Sequence, residues 1–182
     1  MSLPNVLSSI RLSIAPVLLV LAILDQPDLF ISFLVLAFLL DAIDGPLARR
    51  LHQVTELGPF IDSCADFAIY ITFAIGAWLL WPAIILREIM FIGLLLASIL
   101  MPVLSGLVKF RQIISYHTWS VKIAAVCMAP SALLLFLVDV AWPFRLATIF
   151  CCLAGLEEVF ITMVLQKPYS NVKTIFHVLK KQ

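Results

Sequence analysis

Four aspartates stand close together in a chain that is otherwise oily: Asp41, Asp44, Asp62 and Asp66, all within DAIDGPLARRLHQVTELGPFIDSCAD. A bare carboxylate at membrane depth costs about 2.5–3.5 kcal/mol on insertion scales, so four in one stretch need something to neutralise them. The plain reading is a polar loop between two hydrophobic segments. The chemical reading is a cation site, because oxygen-rich carboxylate clusters suit hard divalent ions such as Mg²⁺, Mn²⁺ or Ca²⁺. The spacing favours the second. Asp41 and Asp44 are three apart and Asp62 and Asp66 four apart, so each pair shares one face of a helix. The short polar link from Arg50 to Glu56 is the right length for a helical hairpin. Two antiparallel helices would then aim their carboxylates at the gap between them, as in metal sites built inside helix bundles. One or two divalent ions fit that arrangement, and such ions suit phosphoryl chemistry by neutralising phosphate and stabilising a leaving oxygen.

The elements that must position these residues are membrane helices. The chain has 182 residues, of which 63% are hydrophobic and 13% charged, with a mean hydropathy of +1.12. A soluble domain carries about twice that charged share. The reading is an all-α integral membrane protein, one domain over 1–182, with six transmembrane helices and an amphipathic C-terminal tail. A span needs about 20 residues at about 1.5 Å each. The first runs from about Asn5 to Leu24, with Pro16 as a possible kink and no cleavable signal sequence, so it is expected to be retained. Asp25-Gln26-Pro27-Asp28 is a turn. The second span starts at Leu29 and continues through the first aspartate pair to about Leu51, with Pro46 expected to bend or loosen it. Thr55 to Gly58 opens the third, which is uncharged from Phe67 to Leu86. The fourth is expected over about Pro82 to Gly106, the fifth over Trp119 to Val138, and the sixth from the turn at Asp139–Arg145 to about Leu165. Beyond Gln166, Val172, Ile175, Phe176 and Leu179 fall near helical spacing among lysines, as in a helix lying on a membrane surface.

The same residues spell D-x-x-D-G-x-x-A-R, eight residues, then G-x-x-x-D-x-x-x-D. This resembles the defining motif of the CDP-alcohol phosphotransferase family, with all eight fixed positions present: Asp41, Asp44, Gly45, Ala48, Arg49, Gly58, Asp62 and Asp66. The resemblance implies an enzyme of phospholipid synthesis that moves the phosphatidyl group of CDP-diacylglycerol to an alcohol and releases CMP. It implies Mg²⁺ or Mn²⁺, as two ions, held by Asp41, Asp44, Asp62 and Asp66. Asp66 would double as the catalytic base. Asp41, Asp44, Gly45, Ala48, Arg49 and Gly58 would bind the CDP part. It also implies a homodimer. The early segment P-N-x-L-S-x-x-R, ending at Arg11, looks like one that precedes the motif in related enzymes; read without the family, Arg11 is a snorkelling interface anchor.

The acceptor is read from weaker signals. Lys109, Arg111 and Lys122 would gather on the motif side, either as a pocket for an anionic acceptor or simply as topology signals. Arg87-Glu88-Ile89 is similar to a segment of phosphatidylglycerophosphate synthases, which points to glycerol 3-phosphate. The stretch KFRQIISYHTWSVK, however, departs from the G-K-x-K-T pattern such an enzyme would show. Inositol 1-phosphate is the second reading, and an uncharged or amino alcohol the third. Arg87-Glu88 on its own reads as an ion pair that fixes packing, or else as part of a polar path or a dimer contact. Glu157 or Glu158 is expected to pair inside the bundle.

Lys and Arg divide unequally between the two membrane sides. Ten lie on the side of the motif and the termini, Arg145 lies opposite, and Arg87 lies nearer Arg145, so the aspartates are expected to face the cytosol from a cell or inner membrane. A net charge of +1 gives no indication of nucleic acid. Cys64, Cys127, Cys151 and Cys152 lack metal-ligand spacing and read as reduced, buried small hydrophobes. The rival readings are a divalent-cation transporter, against which the uncharged run from Phe67 to Leu86 speaks, and an inactive scaffold, against which the complete motif speaks.

Overall fold

The computed structural model describes residues 3–51, 58–112 and 118–165, and all their regular structure is helical. Seven helices follow in order: α1 (Leu3–Ile23), α2 (Pro27–Leu51), α3 (Gly58–Leu80), α4 (Pro82–Arg87), α5 (Ile89–Phe110), α6 (Trp119–Val138) and α7 (Trp142–Val164). Among the described residues, five of them (α1, α3, α5, α6 and α7) are long and apolar enough to cross a membrane. The expected second span is α2. It has the length, 25 residues, and the side chains of its residues 44–51 lie outside the described ones. The protein is an all-α membrane bundle, and among the described residues five helices meet both length and composition. The expected tail helix and the Thr55 cap lie outside the described residues.

The contacts divide the chain into two compact units, Met1–Ala83 and Ile84–Gln182. In the first, α1 packs on both α3 and α2. The face it presents is a stripe at helical spacing: Ser8, Arg11, Ile14, Ala15, Leu18 and Ala22 are all buried. Opposite them lie Phe30, Ile31, Leu34 and Ala37 of α2 and Ala65, Ile69, Thr72 and Ala77 of α3. Phe30 is fully enclosed and meets Trp81 edge to face, with centroids 6.0 Å apart. Gly76 makes room for it, because a Cβ there would run into the Phe30 ring. Most outward residues are large and apolar, as lipid requires.

In the second unit α7 is the spine and packs on α5 and α6. Its buried face is largely small or aliphatic: Ala147, Thr148, Ala154, Gly155, Ile161 and Thr162. Between membrane helices, where lipid is as apolar as leucine, close backbone approach of this kind is what favours association. Gly155 shows it most clearly, since an added Cβ would stand 2.5 Å from the Ser98 carbonyl oxygen of α5. Cys151 and Cys152 are half-buried here and Cys64 half-buried in the first unit, while Cys127 is exposed rather than buried; all four are free thiols.

The expected fourth span is interrupted. α4 ends at Arg87 and α5 begins at Ile89, with Glu88 between them at φ −98°, ψ 11°. Hydrogen bonds from the Glu88 N–H to Ile84 and from the Ile92 N–H to Glu88 carry the ladder across, so the break is local. Its cause is an ion network. The Glu88 side chain is fully buried and accepts from Arg145 Nε (2.9 Å) and Nη2 (2.8 Å) and from Arg87 Nε (3.0 Å). Arg87 in turn pairs through both terminal nitrogens with Asp139, which closes α6 in a left-handed conformation at φ 55°. The packing reading of Arg87-Glu88 holds, with Arg145 and Asp139 as its partners.

Two outcomes follow from these contacts. Gly155→Val should destabilise the second unit by about 1–3 kcal/mol, the usual cost of overpacking. Gly93→Ala, where nothing lies within 4 Å of the new carbon, should leave the unfolding midpoint in detergent unchanged or slightly higher. The second outcome concerns pH. Arg145 holds the Glu88 carboxyl below the usual carboxylate range, against the opposing effect of burial, and Arg87 holds Asp139 below it likewise. Both carboxyls are depressed on folding, so their contribution is fully present above their ordinary values, near about 4. It is lost as pH falls through the lowered folded values. The unfolding midpoint should stay flat from about pH 7 to 5 and fall below about 4, and Asp139→Asn should flatten that acid limb.

Candidate functional site

Three helices of the first unit deliver one charged cluster. α1 contributes Arg11, α2 contributes Asp41, and α3 contributes Asp62 and Asp66, one helical turn apart. Arg11 Nη1 lies 2.8 Å from Asp41 Oδ1 and 2.8 Å from Asp62 Oδ1, and Nη2 pairs with Asp66 Oδ1. The arginine side chain is 3% exposed, against 46%, 44% and 38% for the three aspartates. The guanidinium therefore sits behind the carboxylates, and the carboxylates form the open side. The contact is close because Ala65, between the two aspartates of α3, is fully buried and nearly featureless. Buried Ser8 continues the α1 face one turn before Arg11.

Asp41, Asp62 and Asp66 can each offer one oxygen with all three atoms within 4.8 Å of one another. The set is purely carboxylate oxygen, which is the chemistry Mg²⁺ and Mn²⁺ take. The residues thus fit a divalent ion. Asp44, Gly45, Ala48 and Arg49 follow on the last turns of α2, and Gly58 opens α3; their side chains lie outside the described residues.

The basic residues expected around the acceptor belong to the second unit, and each has a local engagement. Lys109 Nζ donates to the carbonyl oxygens of Thr162 (3.0 Å) and Met163 (2.7 Å), at the negative end of the α7 dipole. Arg111 closes α5 in a left-handed conformation, φ 56°, with its N–H on the Leu107 carbonyl. Lys122 lies 5.3 Å from the ring centroid of Trp119. Glu157 accepts from the Ser120 hydroxyl, which also meets Thr118, the N-cap of α6.

Arg11 is the residue whose place the sequence reading left open. It is no interface anchor, since it is buried in the helix contact and ion-paired to three of the four motif aspartates. The signal was available: Ser8, Arg11, Ala15, Leu18 and Ala22 lie on one stripe of α1, and a cation on a buried stripe needs carboxylates facing it.

The family model described as CDP-alcohol phosphatidyltransferase matches residues 1–164. Two curated proteins of Aquifex aeolicus (strain VF5) are also similar. One, named CDP-diacylglycerol--glycerol-3-phosphate 3-phosphatidyltransferase, is 38% identical over 69 residues, covering 36% of this chain and 37% of the relative. The other, named only as an uncharacterized protein, is 51% identical over 45 residues, covering 21% of this chain and 23% of the relative. The chain thus matches well under half the length of each. No solved structure matches.

Proposed function

Because the chain belongs to the CDP-alcohol phosphatidyltransferase family, we propose that it transfers the phosphatidyl group of CDP-diacylglycerol to glycerol 3-phosphate with release of CMP. The observation that carries this reading is the convergence of Asp41, Asp62 and Asp66 from α2 and α3 within the family's motif. The choice of acceptor is supported by the name of the relative that is 38% identical over 69 residues. The family match over residues 1–164 reaches into both compact units, which supports treating that stretch as one functional domain.

Asp41, Asp62 and Asp66, with Asp44 of the same motif, are the residues that would hold Mg²⁺ or Mn²⁺, as two ions. When bound, such ions neutralise the diphosphate of the donor and stabilise the leaving oxygen. The chain's own groups do the rest. Arg49 pairs with the donor's diphosphate, for which a planar guanidinium is suited. Gly45, Ala48 and Gly58 leave space for the cytidine, since they have almost no side chain. The acceptor hydroxyl oxygen attacks the phosphorus that carries the diacylglycerol, and the bond from that phosphorus to CMP breaks. Asp66 takes the hydroxyl proton on a carboxylate oxygen. Lys109, Arg111 and Lys122 are the candidates for the acceptor's own phosphate. Of these, Lys109 is already engaged with two carbonyls, so Arg111 and Lys122 are the stronger pair. The excess of Lys and Arg at the motif side and the termini supports a cytosolic site, and the family membership supports a homodimer.

The test is CMP release by the purified protein given CDP-diacylglycerol, Mg²⁺ or Mn²⁺, and one acceptor at a time. Release should require glycerol 3-phosphate and stop with chelator. Release with inositol 1-phosphate instead would keep the reaction and change the acceptor. Binding of divalent ions without CMP release from any acceptor would favour a cation transporter or an inactive scaffold. Asp66→Asn should retain donor binding while kcat falls by roughly 10²–10⁴-fold, the usual worth of a positioned base. Lys122→Gln should raise KM for the acceptor several-fold while leaving KM for the donor unchanged.

A further inference from the structure

We propose that Arg11 is an exchangeable counter-cation of the carboxylate site. Its guanidinium holds Asp41, Asp62 and Asp66 together when no divalent ion is bound, and gives up their oxygens when one enters. The inference rests on the metal reading above and concerns how this chain sets its own affinity for the ion.

Position is the first ground. The three carboxylates able to gather round an ion are the three that converge on Arg11, and Nη1 bridges Asp41 and Asp62 at 2.8 Å each. A divalent ion that drew on the oxygens now facing Arg11 would compete with the guanidinium for them, and like charges at close range repel. Arginine does not relieve this by losing its proton, since it stays charged in proteins.

The side chain is also incompletely anchored. Arg11 is 2% exposed, yet among the described residues its Nε–H is buried with no hydrogen-bond partner. Buried donors in native structures nearly always have a partner, and an orphan calls for an explanation. Among the described residues the guanidinium is held by carboxylates at its two terminal nitrogens, and its third edge makes no hydrogen bond. The direction of approach agrees. The carboxylates are 38–46% exposed and the arginine side chain 3%, so an ion arriving from the open side meets oxygen first and the guanidinium lies behind it.

Exchange has a measurable signature. Because Arg11 competes for the ligands, apparent metal affinity in the native chain is reduced by the fraction of molecules in which the carboxylates are free. Arg11→Gln removes the competitor. The full chain in detergent micelles, titrated with Mn²⁺ by calorimetry and unfolded thermally with chelator or with Mn²⁺, reads both halves of the idea. Arg11→Gln should bind Mn²⁺ about tenfold more tightly than the native chain, within the usual range of coupling between sites. In chelator it should unfold at a lower temperature, and Mn²⁺ should raise its midpoint by more than it raises the native one. Adding Asp62→Asn to Arg11→Gln should recover part of the midpoint in chelator, because one unpaired carboxylate has gone. Should Arg11→Gln fail to fold, Arg11→Lys answers the same question: an ammonium is a point charge without the rigid fork that engages these carboxylates from two nitrogens, so it holds them less firmly and Mn²⁺ affinity should still exceed the native one. Native-like or weaker affinity in these variants would overturn the exchange and leave the metal reading standing. Absence of Mn²⁺ binding by the native chain and the variants alike would overturn both.

Discussion

The first unit depends on one buried guanidinium. An uncompensated arginine inside an apolar bundle costs several kcal/mol, and here three carboxylates meet it. Those carboxylates come from α2 and α3, while Arg11 comes from α1. Helix packing and charge neutralisation are therefore one requirement. The residues that read as chemistry in the sequence are also what fixes the register of α1 against α3. Beside the charges the contact is lined with the small Ser8 and Ala65, and further along with Ile14, Leu18 and Ile69.

The second unit uses the same device with the signs reversed. Glu88 is the buried charge, and Arg87 and Arg145 come to it from α4 and α7. Asp139 at the end of α6 completes the set through Arg87. In both units a single enclosed ion is met by opposite charges from more than one helix, and the helices carrying them are thereby placed. Small residues such as Gly155 then allow the remaining approach.

Much of this was legible from residue pattern. The expected fifth span, Trp119 to Val138, matches α6, because Thr118 is a good cap and Asp139 ends the apolar run. Asp62 and Asp66 share one face of α3, as their four-residue spacing dictates, and Asp41 of α2 meets them there. What pattern did not disclose was the break at Glu88. Outside the Arg87-Glu88 pair the flanking residues are apolar, so hydropathy runs on either side of it, and the partners Arg145 and Asp139 lie more than fifty residues away in sequence. The partners of Arg11 were hidden for a similar reason. A cation near the start of a span looks the same to local reading whether it turns outward to lipid headgroups or inward to carboxylates thirty or more residues away. Lys109 shows the converse: its charge suggested a ligand, while its nearest acceptors are backbone carbonyls at a helix end.

The enclosure of Phe30 has a mechanical meaning. Its ring is locked between Trp81 and the gap above Gly76, near the start of α2, while Asp41 lies eleven positions further along the same helix. At about 1.5 Å per residue that sets about 16 Å between the aromatic pin and the carboxylate. Ile31, Leu34 and Ala37 are buried along the way, so α2 is clamped at two points, an oily one and a charged one, and where the carboxylate stands is decided by apolar packing as much as by charge.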